Sequence, residues 1–239
     1  MIPYKDENPT VIVPVMMMGI IAVNVLAWLF IEGAGSSEAV AASVCQLGLI
    51  PGALFGTVPV GTRVPLGPGL ACVIDTPHYA TVVTSMFMHG GWFHIIGNMW
   101  FLWIFGNNIE DSMGHMRFLV FYLLCGVAAA GTQLLADSQS RLPMVGASGA
   151  ISGVLGAYIL LFPRVRVHTL VTLGFFVTTV ALPAYVMLGY WFVLQLLLGV
   201  VSRTPGGIAV WAHVGGFVAG VALIKLFVNP ELAARHQPL

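Results

Sequence analysis

Six long stretches of this chain, residues 11–31, 93–109, 118–135, 147–162, 183–201 and 208–228, are apolar, and Lys225 is the one Asp, Glu, Lys or Arg within them. A bilayer core about 30 Å thick takes roughly 20 such residues per helix, fewer where a helix begins inside a protein cavity. Backbone in lipid must satisfy its own hydrogen bonds, so each stretch predicts a spanning α-helix. The composition agrees. Of 239 residues, 58% are hydrophobic and 8% charged, and the mean hydropathy of +0.94 lies outside the range of ordinary water-soluble domains. The expected fold is therefore an all-α integral membrane protein, residues 1–239 forming a single six-transmembrane-helix bundle with an outer loop over about 32–90. The first stretch is preceded by "MIPYKDENPT", which carries acids where a secretory signal carries a basic region, so a retained helix is expected.

The piece "VHTLVTLGFFVTTVAL", residues 167–182, is apolar but runs directly into Pro183. Joined to the next stretch it is too long for one span. It is open to three readings: a separate crossing, a tilted extension or an interfacial segment.

Net charge is zero, so nothing points to nucleic acid. With the N-terminus cytoplasmic, Lys5, Arg117, Arg164, Arg166, Lys225 and Arg235 lie inside, while Arg63, Arg141 and Arg203 lie outside, in keeping with the positive-inside rule. Cys45 and Cys72 fall in the outer loop, either as a disulfide or as two free thiols. Cys125 reads as a small buried hydrophobe.

Polar side chains at membrane depth are costly and mark function by default. Here they are His94, Asn98, Ser148 and His213, with Asn24 and Gln195 read as hydrogen bonders between helices. His94 and Asn98 are four apart and share a helix face. A serine hydroxyl needs a base to become a nucleophile, and a neutral imidazole can be one. His213 is the candidate base for Ser148. His94, Asn98 and the Ser148 N–H at a helix start are candidate donors to a tetrahedral oxyanion. No Asp or Glu falls in a marked helix, which points to a Ser-His dyad. The pairing also requires a single net crossing between residues 162 and 208, favouring an interfacial or partly inserted 167–182. Gly149 and Gly153 on one helix, and Ala212, Gly216 and Gly220 on another, recur every four residues, which lets backbones approach closely. With Gly146 they are expected to shape the site. His78 and His89 read as structural or solvated, and His115, His168 and His236 as loop or tail residues.

The stretches "TSMFMHGGWFHIIGNMWFLWIFGNNIED", "GASGAISG" and "WAHVGGFVAG", in this order and spacing, resemble the rhomboid intramembrane serine proteases over most of the chain. The resemblance implies Ser148 as nucleophile, His213 as base, and His94 and Asn98 as oxyanion donors. It matches His89 to an outer-loop histidine, and Glu110 with Gly114 to a cytoplasmic-side turn. It also implies a water-filled site and lateral substrate entry past the fifth helix and the following loop, with Trp191, Phe192 and residues 201–207 as gate candidates. Two positions depart from the pattern. Ala80 and Thr81 stand where some members have a Trp-Arg pair, and Ser152 stands where some stack an aromatic ring on the catalytic histidine.

The expected activity is endopeptidase cleavage of other membrane proteins, at helices that unwind easily, in a bacterial cytoplasmic membrane. No cofactor or metal is expected. There is no "HExxH" sequence and no pair of membrane aspartates, against zinc and aspartyl chemistries. The alternative is a catalytically silent relative that binds or escorts membrane helices. A transporter finds no internal repeat in its favour.

Overall fold

The structure is a computed structural model that describes residues 1–173, 176–201 and 209–234. A helix occupies each of the six apolar stretches: α1 (Val15–Phe30), α5 (Trp92–Met113), α6 (His115–Ala136), α7 (Ser148–Leu161), α8 (Ala184–Val201) and α9 (Val210–Phe227). By length and composition α6, α8 and α9 are able to cross a membrane, and α1 and α7 are shorter apolar helices. At the centre lies α7. Val154, Ala157 and Tyr158 are fully buried there, enclosed by α5, α6 and α9. Conversely, Val193, Leu197 and Val201 on α8 are exposed apolar side chains, as suits a helix facing lipid.

Glycine brings α7 and α9 together. A Cβ at Gly216 would run into the carbonyl oxygen of Gly149, and one at Gly220 into that of Gly153. The two backbones touch along this seam.

The sequence expectation of an all-α chain is corrected at both ends of the bundle. Residues 167–173 and 176–182 are strand, not helix. They lie in a hairpin of β4 (Arg166–Leu173) and β5 (Phe176–Pro183), and β4 also pairs antiparallel with β1 (Ile2–Asp6), giving the order β1-β4-β5. The physical reason is alternation. Val167 and Thr169 are fully buried while their neighbours are not, a period of two built from β-branched residues. Apolar content alone does not register that period. Because the hairpin returns to the end it left, α7 and α9 both begin at the opposite end of the bundle.

The outer segment is folded as well. It contains α2 (Ser37–Leu47), α3 (Pro51–Leu54), a hairpin of β2 (Arg63–Gly67) and β3 (Leu70–Val73), and α4 (Thr81–Thr84). A disulfide between Cys45 and Cys72 ties α2 to β3, over a small core of Ile50, Val58, Val64 and Ile74. Leu49 then forms an isolated antiparallel bridge with Met144, just before α7.

Glu110 and Asp111 lie inside α5, which runs past the apolar stretch that marked it. Glu110 accepts from the N–H groups of Met16 and Met17, at 2.9 and 2.7 Å, and Asp111 from those of Val11 and Ile12, at 2.7 and 2.9 Å. Two carboxylates thus satisfy the free donors at and before the start of α1. A short α10 (Pro230–Ala233) closes the same end.

Candidate active site

Ser148 is the first residue of α7. The chain reaches it through Gly146, whose φ of 122° lies where side chains other than glycine are strained. A second reason for glycine is space, since a Cβ at 146 would sit 2.6 Å from His94 Nε2 and 3.5 Å from Asn98 Nδ2. The Gly146 N–H donates to the Ser85 carbonyl at 2.8 Å, which anchors the turn.

His213 lies in the first turn of α9. His213 Nε2 lies 2.8 Å from Ser148 Oγ, and His213 Nδ1 lies 2.9 Å from Gln195 Oε1, both within hydrogen-bonding distance. One imidazole thus links three helices. Across the cavity, the Gly90 N–H donates to His94 Nδ1 at 3.3 Å, which leaves His94 Nε2 to carry the proton toward Gly146. Asn98 Nδ2 is buried and has no hydrogen-bond partner among the described residues. Two side-chain donors therefore converge beside the backbone that precedes Ser148. The cavity they share with Ser148 and His213 has a volume of about 580 Å³, and Val82, Phe93 and Met144 line its apolar part.

This arrangement can place a carbonyl carbon against Ser148 Oγ with its oxygen among donors, the layout of acyl transfer. Among the described residues no cluster of His, Cys, Asp or Glu is able to hold a metal ion.

His89 is fully buried, with its ring edge-to-face against His94 at 5.1 Å, and its backbone N–H donates to Glu32 Oε1 at 2.6 Å. Burial, with the neighbouring His94 adding to it, pushes the His89 imidazole down to about 3. Burial likewise pushes the Glu32 carboxyl up to about 7. The histidine expected to be structural or solvated is a structural support for His94. Glu32 was not singled out in the sequence, although an acid directly after an apolar stretch is a usable signal.

Other residues fall differently from expectation. Asn24 Nδ2 donates to the Ile20 carbonyl within its own helix at 2.8 Å, and among the described residues it makes no bond between helices. Gln195 does bond between helices, and its partner is the candidate base. Ser152 Oγ donates to the Ser148 carbonyl at 2.6 Å. The ring beside His213 is instead Trp191, 6.0 Å away and tilted 40°, while Phe192 stacks on Phe217 at 4.4 Å. Of the gate candidates, residues 202–207 lie outside the described residues.

A family model described as the rhomboid domain matches residues 76–230. The chain is 32% identical to RHOMBOID-like protein 5 of Arabidopsis thaliana, over 63% of this chain and 45% of that protein. It is 29% identical to rhomboid protease GluP of Bacillus subtilis, over 70% of this chain and 31% of that protein. Rhomboid-like protease 5 of Toxoplasma gondii is 38% identical over a shorter match, 33% of this chain and 9% of that protein. The matches thus span about half or less of the length of these relatives.

Proposed function

The chain belongs to the rhomboid family, an integral membrane family with members named as proteases, and on that premise we propose that it is an intramembrane serine endopeptidase working through a Ser148–His213 dyad. The observation that carries this reading is the 2.8 Å bond from Ser148 Oγ to His213 Nε2. The unpartnered Asn98 amide and His94 facing the same cavity support it.

In the proposed reaction His213 Nε2 takes the Ser148 proton as Oγ attacks the scissile carbonyl. The oxyanion forms beside Gly146 and accepts hydrogen bonds from His94 Nε2, Asn98 Nδ2 and the Ser148 N–H. His213 then gives its proton to the leaving amine. Water, activated by the same histidine, releases the acyl group and restores Ser148.

A substrate must offer extended backbone, because a helix keeps its amides bonded internally. We assign as substrates membrane proteins whose transmembrane helix unwinds near Gly, Ala or Pro. Entry is past Trp191 and Phe192 on α8. The proposed setting is a six-span bundle in a bacterial cytoplasmic membrane, the N-terminus cytoplasmic and Ser148 near the outer face.

The test is covalent labelling of detergent-solubilised protein by a fluorophosphonate. Wild type labels, and Ser148→Ala, His213→Ala and denatured wild type do not; the expected loss is at least about 10³-fold. If folded wild type fails to label with this and a second serine-reactive probe, the protein is instead a silent binder of membrane helices.

A further inference from the structure

The second half of α8, "VLQLLLGVV", is apolar apart from Gln195 and largely exposed, with Gln195, Leu196 and Gly199 half-buried. An amide in such a stretch loses the hydrogen bonds of water, which is costly unless a partner is supplied. Its partner here is specific. Gln195 Oε1 meets His213 Nδ1 at 2.9 Å, while Nε2 of the same ring faces Ser148 at 2.8 Å.

We propose that Gln195 is a positioning residue for the reaction, the third member of a Ser148–His213–Gln195 triad. This rests on the dyad reading and deepens it. A neutral imidazole carries one proton, and only the tautomer protonated on Nδ1 leaves Nε2 free to accept from Ser148. An amide oxygen on Nδ1 selects that tautomer, fixes the ring plane, and accepts from the imidazolium after proton transfer. An asparagine does the same for the histidine of papain-like cysteine proteases. The geometry also resolves the departure at position 152. With Ser152 bonded to the Ser148 carbonyl, His213 is held from α8, by Gln195 on one nitrogen and by Trp191, one turn earlier, beside the ring. Interhelical attachment alone would leave the choice of ring nitrogen unexplained.

The experiment measures the inactivation rate constant and the binding constant of a fluorophosphonate on the solubilised full chain. Gln195→Met keeps length and apolar packing but removes the strong acceptor. It should lower the maximal inactivation rate about 10- to 100-fold, less than the ~10⁴-fold that follows loss of a carboxylate orienter, with the binding constant within about 3-fold. Gln195→Glu keeps a carbonyl oxygen at the same reach and should restore the rate to within about 5-fold of wild type. A Gln195→Met rate equal to wild type overturns the proposal, as does a folded Gln195→Glu that fails with it. If Gln195→Met does not fold, ¹⁵N-histidine NMR of wild type decides, with the His213 signal assigned by its loss in His213→Gln. The proton must be on Nδ1, and a proton on Nε2 overturns the assignment. Failure of wild type to label at all removes the dyad and this inference together. Labelling that vanishes in Ser148→Ala but is indifferent to Gln195 keeps the dyad and removes only the triad.

Discussion

Asn98 offers an amide nitrogen without a partner to the cavity that Ser148 lines. Replacing it with alanine should lower kcat by about 10²–10³-fold and leave KM nearly unchanged, because the donor is engaged only once an oxyanion exists; cleavage kinetics on a model transmembrane substrate check this. Asp6 gives a prediction of a different kind. Burial raises its carboxyl from 3.8 to about 6, although the Tyr158 hydroxyl donates to it at 2.5 Å. A raised folded value means that its contribution to stability is full below about pH 4 and is lost as pH rises through about 6, a change of order 3 kcal/mol. Asp6→Asn should remove that loss, so the thermal midpoint of the variant rises above wild type at pH 7 and converges with it near pH 4. At this scale the sequence marked Ser148, His94, Asn98 and His213 because polar groups are rare in apolar stretches. Rarity does not reveal orientation, so it left Gln195 as generic attachment and missed Glu32, which lies one residue past the stretch.

The elements divide by how their periodicity is written. Helices α7 and α9 were legible down to the glycines, because a four-residue spacing of small residues has one geometric use between apolar helices. Gly216→Val should show how little slack that contact has. The new side chain meets the Gly149 backbone, which cannot rotate away, so the expected result is a destabilisation of about 1–3 kcal/mol or more and loss of fluorophosphonate labelling. The β4–β5 hairpin was hidden because hydropathy summed over a window ignores a period of two. In the outer segment, the pairing of Cys45 with Cys72 was undecidable from two cysteines alone, since what brings them together is the packing of α2 against β3. Replacing both with serine should cost about 2–4 kcal/mol, measured by thermal unfolding under non-reducing conditions.

Across the whole molecule, the two ends carry separate duties. Ser148, His213, His94 and Asn98 gather at the end bearing the disulfide and the small outer core. The opposite end holds the three-stranded sheet and the carboxylates that cap α1. Lys5, Arg117, Arg164, Arg166 and Lys225 all lie toward the sheet end, as the proposed orientation requires. In intact cells, a membrane-impermeant maleimide should label a cysteine placed at the exposed Val60 and spare one placed at Arg164; the reverse pattern inverts the orientation. The order of the long helices was legible in the sequence because charge and apolar runs alternate so plainly. The sheet was not, because its first strand and its hairpin lie at distant points of the chain.

That distance has a consequence for biosynthesis. Ile2 pairs with Leu170, so β1 waits for a partner made roughly 160 residues later. At about 5–20 residues per second the wait is on the order of ten seconds or more, spent while α1, the outer segment and α5 to α7 are being made. The sheet therefore closes only after α7 has been made, and before α9 arrives to complete its contact with α7; a ribosome stalled before residue 170 should leave residues 2–6 open to protease.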